Sequence, residues 1–318
     1  MTVEYDAAQY NPDKTVTEQA RYRVVGVTCP GPRQEHLLRR LADRFDLVGW
    51  LSMSERPASL KDRWTSLCRR YRNPLRLSRH LEARAKCRQF NIAARSLEAD
   101  LFDGANDFPA LRANLPHLHV HDVNQPSAID FLRQLRPDCL VVDGTNLLRA
   151  PYFDGTLPRD LKIINIHTGL SPYARGGNCN LYCILHSQPQ LVGVTVHYID
   201  AGIDSGDIIY TARPTFEAGD TVERLELKTR RLGEDLLILA LGQLSTGIAS
   251  RHPQWEPGRL FLRRTGYIYN PFQRCQANEL LLYGGLIELY LNSRTHFDEQ
   301  VRVIEPTIDP ALWRHPLT

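Results

Sequence analysis

Residues 165–178 read NIHTGLSPYARGGN, an Asn-x-His pair leaving an apolar run and entering a loop that holds Pro172, Gly176 and Gly177. In an extended segment alternate side chains share a face, so Asn165 and His167 point the same way. Further on, IDAGIDSGDII sets Asp204 between Gly202 and Gly206, at the tip of a hairpin-like turn. An amide donor, an imidazole and a carboxylate to orient or charge it are the groups that acyl transfer uses. They supply hydrogen bonds to a developing oxyanion and a route for the attacking group's proton. Singly, each has an ordinary structural role, and a turn aspartate between glycines is common. His197 sits inside an alternating strand and is read as structural. Ser171 precedes a proline and lacks the G-x-S-x-G elbow of a serine nucleophile.

Positioning such a set requires a sheet edge, and the surrounding pattern supplies one. YRVVGV at 22–27 stops at Cys29-Pro30-Gly31-Pro32, Leu37, Leu38, Leu41 and Phe45 follow at helical spacing, and LVGWL at 47–51 is a second buried strand. Strand, turn, helix, strand opens a parallel sheet. The alternation resumes with a strand at 117–121, a helix at 126–135, and strands at 138–142, 163–166 and 192–199. Val222, Leu225, Leu232, Leu236, Ala240 and Leu244 mark a long amphipathic helix. A strand at 258–269 and a helix at 280–291 follow. The carboxyl edge of an open α/β sheet is where ligands bind, and the Asn-x-His pair leaves its strand there.

The 318 residues, 42% apolar and 24% charged, describe an ordinary folded α/β body and disfavour disordered, collagen-like and coiled-coil chains. The net charge of +3 does not announce nucleic acid, but its distribution is uneven. Between residues 54 and 95 twelve Lys/Arg face three acids, a local balance of +9. Leu60, Trp64, Leu67, Tyr71, Leu77, Leu81 and Phe90 add an apolar stripe there, which predicts basic amphipathic helices inserted into the body. A solvated face, a phosphate-bearing substrate, an acidic partner or membrane surface, and RNA all suit such a segment. Seven scattered cysteines fit reduced thiols in a cytoplasmic setting, and Cys179 with Cys183 lacks the companions of a zinc site. No signal peptide or membrane span is expected.

NIHTGLSPYARGG followed by GVTVHYIDAGIDSGDII resembles the folate-dependent formyltransferase family, which includes glycinamide ribonucleotide, methionyl-tRNA and amino-sugar formyltransferases. The family's Asn-x-His is Asn165 and His167, its Leu-Ser-Pro loop closed by Arg-Gly is Leu170-Ser171-Pro172 with Arg175-Gly176, and its later Asp-x-Gly is Asp204-Ser205-Gly206. FLRQLRPDCLVVDGTNLL resembles the approach to that site, and the likeness runs over about residues 120–244. It implies a Rossmann-like α/β domain with a mostly parallel sheet that takes its formyl group from 10-formyltetrahydrofolate, without a metal. It also implies that Asn165 and His167 stabilise the oxyanion, with Asp204 charging His167 and relaying a proton. The pterin is placed against Asn146, Leu147 and Leu148 and the turn of Tyr198, Ile199, Ala201 and Ile203. The acceptor is placed near Ser171, Arg175, Gly176 and Gly177.

The implied organisation is an arm (1–20), a catalytic domain (21–244) carrying the basic helical insertion (54–105), and a small C-terminal extension (245–318). The last residues offer too few alternating strands for the β-barrel of the methionyl-tRNA branch. A small-molecule amine acceptor is therefore expected, with a nucleotide-linked amino sugar first and an amino-acid hydroxylamine next. The competing readings are a 10-formyltetrahydrofolate hydrolase and a non-catalytic protein that binds nucleic acid or an acidic surface through its basic segment. Nucleic acid is not the expected partner, and the assembly state stays open, a homodimer included.

Overall fold

The β-branched run Arg23–Thr28 (β1) buries five of its six residues, as a strand covered on both faces must. This computed structural model describes residues 22–56, 59–61, 64–65, 73–102, 108–267 and 269–306, so the expected arm lies outside the described residues. Strands Asp46–Met53 (β2), His117–Val120 (β3), Cys139–Asp143 (β4), Lys162–His167 (β5), Val194–Tyr198 (β7) and Ile208–Ala212 (β8) complete a seven-stranded sheet in the order β3-β2-β1-β4-β5-β7-β8. Pairing is parallel from β3 to β5, then antiparallel from β5 to β7 and from β7 to β8. The short strands Ala174–Gly176 (β6) and Arg259–Phe261 (β9) pair separately.

Helix Pro32–Arg44 (α1) begins with proline in its first turn, where a missing N–H costs nothing, and buries Leu37, Leu38 and Leu41. These pack with Ile164, Val194, Leu236 and Leu237 on one face of the sheet. Helix Pro126–Leu135 (α5) puts Ile129 and Leu132 against Val25, Val27, Leu51 and Leu140 on the other face. The chain thus winds both ways from β1, and the crevice beyond the carboxyl ends of β1 and β4 is a topological switch point. Helix Val222–Ser245 (α7) is capped by Thr221, whose hydroxyl accepts from the Arg224 N–H, and packs across β5 and β7. A Cβ at Gly233 would come within 2.6 Å of a Val194 methyl and 2.8 Å of an Ile166 methyl, so the close approach of this helix requires glycine there.

Arg230 of α7 reaches across the core to β4, donating to both Asp143 oxygens at 2.6 Å, with Glu234 3.5 Å from its Nε and His36 2.8 Å from Glu234. The pair is buried on both sides. Removing one partner strands a charge, so Arg230→Leu is expected to cost about 3–5 kcal/mol in urea unfolding, and Arg230→Leu/Asp143→Leu less than that. An unchanged midpoint in the single variant would show that the pair does not hold the helix to the sheet.

Three sequence expectations change. The basic segment does form helices, Pro74–Ala93 (α2) and Arg95–Leu101 (α3), but α2 packs through Ala83 and Cys87, which meet Cys275. Leu60, Trp64, Leu77 and Leu81 of the supposed packing stripe face solvent, and Leu67 and Tyr71 lie outside the described residues. An amphipathic pattern states that a face is apolar, not that the face is covered. The helix expected at 280–291 is two, Pro271–Leu282 (α8) and Leu286–Asn292 (α9), parted at Gly284-Gly285. The strand expected at 258–269 shortens to β9. The six cysteines of the described residues are free thiols, and burial pushes Cys87 up to about 12, so it is a neutral packing group beside Cys275, 3.8 Å away.

Residues after 244 are knitted into the body. The Ile208 and His252 backbones exchange hydrogen bonds, Thr211 N–H donates to Ile304, and Ala277, Leu281, Leu286 and Tyr290 share a core with helix Cys179–Leu185 (α6). The described part of this segment holds one short strand and otherwise helices and loops.

Candidate active site

Beyond the carboxyl ends of β1, β4 and β5 lies a cleft of about 630 Å³. β5 delivers Asn165 and His167 into it, two residues apart on one strand, as alternation requires. The antiparallel partner β7 sets His197 directly opposite Asn165. The following turn brings Asp204 back over both, in a left-handed conformation (φ +47°) that aspartate tolerates better than most residues.

Asp204 is the hub. One of its oxygens lies 3.5 Å from His167 Nδ1 and accepts the Gly176 N–H at 2.9 Å, and the other lies 3.6 Å from His197 Nε2. Burial opposes ionisation of this carboxyl. The charge of His167, then His197 and the Gly176 N–H, outweigh it and hold Asp204 well below the usual carboxylate range. Gly176 makes its contact from φ +96°, and a Cβ there would meet the Phe261 carbonyl at 2.4 Å, so β9 can lie against this loop only with glycine in place. Gln254 donates to the backbone oxygens of Asp204 (2.7 Å) and Gly206 (3.0 Å), so the segment after α7 clamps the turn.

His167 has the Asp204 carboxylate 3.5 Å from Nδ1 and the Ala174 carbonyl 3.0 Å from Nε2, so both ring nitrogens face oxygen atoms. His197 has the Tyr198 carbonyl 2.8 Å from Nδ1 and the Asn165 amide nitrogen 3.2 Å from Nε2. One Asn165 N–H therefore serves His197, and the second is available to the cleft. Beneath His167, burial raises the Cys179 thiol well above its ordinary value, which makes it a packing group and not a nucleophile.

The other expected contacts divide. Asn146, Leu147, Leu148, Ile199, Ile203, Gly176 and Gly177 line the cleft. Asn146 is held by Asp122, which accepts its amide N–H at 2.6 Å. Tyr198 does not line the cleft, because its neighbours His197 and Ile199 do and its ring turns to the other face, under the Arg251 guanidinium. Ala201 is exposed on the turn outside the cleft. Ser171 is fully buried, its N–H held by Thr195, so it supports the loop from behind. The Arg175 guanidinium turns away to the Pro257 carbonyl. Residues that sequence reasoning did not select include His197, Gln254, Asn178, Leu262, Arg33, Gln34 and Arg230. His197 alone had a local signal, its place two residues before the turn that carries Asp204's loop.

No group of three or more His, Cys, Asp or Glu suited to a metal occurs among the described residues. No helix among them is long and apolar enough to cross a membrane.

A doubly wound sheet whose carboxyl edge carries an amide, two imidazoles and a buried carboxylate is a Rossmann-like scaffold with a polar cleft where such sheets take ligands. The chain belongs to the folate-dependent formyltransferase family: the family model described as formyl transferase matches residues 78–241, just over half of its length. That match begins inside the basic segment, further upstream than the sequence motifs reach. Methionyl-tRNA formyltransferase of Halothermothrix orenii is 31% identical over 153 residues, 46% of each chain. The Koribacter versatilis protein of the same name is 34% identical over 152 residues, again 46% of each. The matched part is thus less than half the length of these relatives. Among solved structures, glycinamide ribonucleotide transformylase 1 of Symbiobacterium toebii aligns over 77% of this chain and 99% of its own at 20% identity and TM-score 0.49. A sugar N-formyltransferase from a Shewanella species aligns over 75% and 76% at 16% and 0.46.

Proposed function

We propose that the protein is an N-formyltransferase that moves the formyl group of 10-formyltetrahydrofolate to the amine of a small metabolite, a nucleotide-linked amino sugar in the first instance. The observation that carries this reading is the convergence of Asn165, His167, His197 and Asp204 on one cleft at the carboxyl edge of the sheet. The donor supplies an activated formyl carbon. Leu147, Leu148, Ile199 and Ile203 offer an apolar wall suited to its flat pterin. Elsewhere on the lining Arg33, Gln34 and Asn178 suit an acceptor that carries an anionic group.

In this reading the free Asn165 N–H donates to the formyl oxygen as it gains negative charge, a contact worth roughly 3–4 kcal/mol in comparable sites. The imidazole of His167, set by Asp204 at 3.5 Å and by the Ala174 carbonyl, stands beside it at the same edge of the cleft. Asp204, kept ionised by its neighbours, takes the proton the amine must lose, directly or through water, and the same proton passes to the folate nitrogen as its bond to the formyl carbon breaks and tetrahydrofolate leaves. The clamp by Gln254 and Gly176 keeps the carboxylate in place for this step.

The test is consumption of 10-formyltetrahydrofolate with and without a pool of amino-sugar nucleotides and amino-acid hydroxylamines, with products read by mass. Consumption that needs the pool and leaves a formyl adduct on an amino sugar is the expected result. An adduct on a hydroxylamine would move the acceptor class, consumption without the pool would make the protein a hydrolase, and no consumption would end the reading.

A further inference from the structure

Helix α2 has two apolar sides, and only one is covered. Ala83 and Cys87 face the body, where Cys87 lies against Cys275. At helical spacing on the opposite side, Leu77, Leu81 and Ile92 are 36%, 56% and 48% exposed. Nearby in the chain Leu60 and Trp64 are exposed as well. Arg84 and Arg88 stand exposed among these side chains, and no ion pair among the described residues engages them. The segment that carries this face holds twelve Lys/Arg against three acids, while the chain as a whole is only +3, so positive charge is concentrated on it.

We propose that the outward face of α2, with Leu60 and Trp64, docks on an anionic bilayer surface. Apolar side chains interleaved with arginines are the chemistry of an interfacial helix, in which the aliphatic groups enter the acyl boundary while the guanidinium groups stay at the phosphates. A second copy of the chain would bring one +9 segment against another, which like-charge repulsion opposes. A polynucleotide would match the arginines and leave Leu77, Leu81 and Ile92 in water. The position bears on the cleft too. Ser54 and Glu55 line a lobe adjoining it through Gly144, Thr145 and Asn146, and Leu60 follows Glu55 by a stretch of chain that can span at most about 18 Å. Docking would hold the mouth of the site close to the lipid surface. The proposal does not depend on which amine is formylated.

The experiment is cosedimentation of the full chain with vesicles of phosphatidylcholine alone or containing about 30 mol% phosphatidylglycerol, at low and raised salt. Binding to the anionic vesicles roughly tenfold stronger than to the neutral ones, and weakened by salt, is expected. Leu77→Ser/Leu81→Ser removes apolar groups without changing charge, and Arg84→Gln/Arg88→Gln removes charge from exposed positions. Each pair should cut binding roughly tenfold while the unfolding midpoint stays put. Absence of binding to anionic vesicles, or binding that both pairs leave intact, overturns the proposal. So does a dimer that Leu77→Ser/Leu81→Ser dissociates, or salt-sensitive RNA binding without lipid binding.

Discussion

Asp204→Asn is expected to lower turnover by on the order of 10²–10⁴ while leaving the affinity for the folate donor within a few-fold. The substitution is nearly isosteric, and asparagine accepts the left-handed backbone that this position requires. What it removes is the negative charge that faces His167 at 3.5 Å and His197 at 3.6 Å. The amide can neither take the acceptor's proton nor stabilise a charged imidazole. The measurement is single-turnover formyl transfer with the acceptor found in the pool assay, beside equilibrium binding of tetrahydrofolate. Turnover within threefold of the parent would remove Asp204 from the chemistry.

The same variant isolates the carboxylate's part in folding. Asp204 is held below its ordinary value in the folded chain, so its charge stabilises the fold fully above the unfolded carboxyl value of about 4, and that stability is lost as the pH falls further. The stability gap between parent and variant is therefore widest near neutrality and closes in acid.

Asn165→Ala is expected to lower turnover by on the order of 10²–10³, the effect of deleting one oxyanion donor elsewhere. The argument rests on the amide's two N–H groups, one engaged by His197 at 3.2 Å and the other open to the cleft. Asn165→Asp is a sharper test, because it keeps the volume and places a second carboxylate in the pocket that holds Asp204. It should be at least as impaired as the alanine variant at neutral pH. Near-parental rates in Asn165→Asp would show that no N–H from this position touches the reacting oxygen.

The legibility of this site in the sequence follows from how local each feature is. Asn165 and His167 could be read because a strand's period of two fixes their common face, and Asp204 because glycines flank it in a turn. His197 carries the same alternation, yet its role depends on the register that sets it opposite Asn165, and register is a relation between strands. Gln254 holds the Asp204 turn from fifty residues downstream, and nothing in its surroundings marks it. Ser171 and Arg175 lie off the cleft for the converse reason: a loop motif names its residues without saying which side chains turn inward.

The sequence by itself determined the alternation of strands and helices, the sheet edge that carries Asn-x-His, and the family. Those are written in periodicity and in short contiguous motifs, which act over a few residues. Tertiary structure decided that Leu262 and Gln254, after residue 244, line the cleft and hold its Asp204 turn, that Arg230 ties α7 to Asp143, and that Leu60, Trp64, Leu77 and Leu81 of the basic segment face outward. Each of these depends on which surfaces meet once the chain has folded back on itself, and an amphipathic pattern is the same whether its apolar face finds a core or is left for another partner.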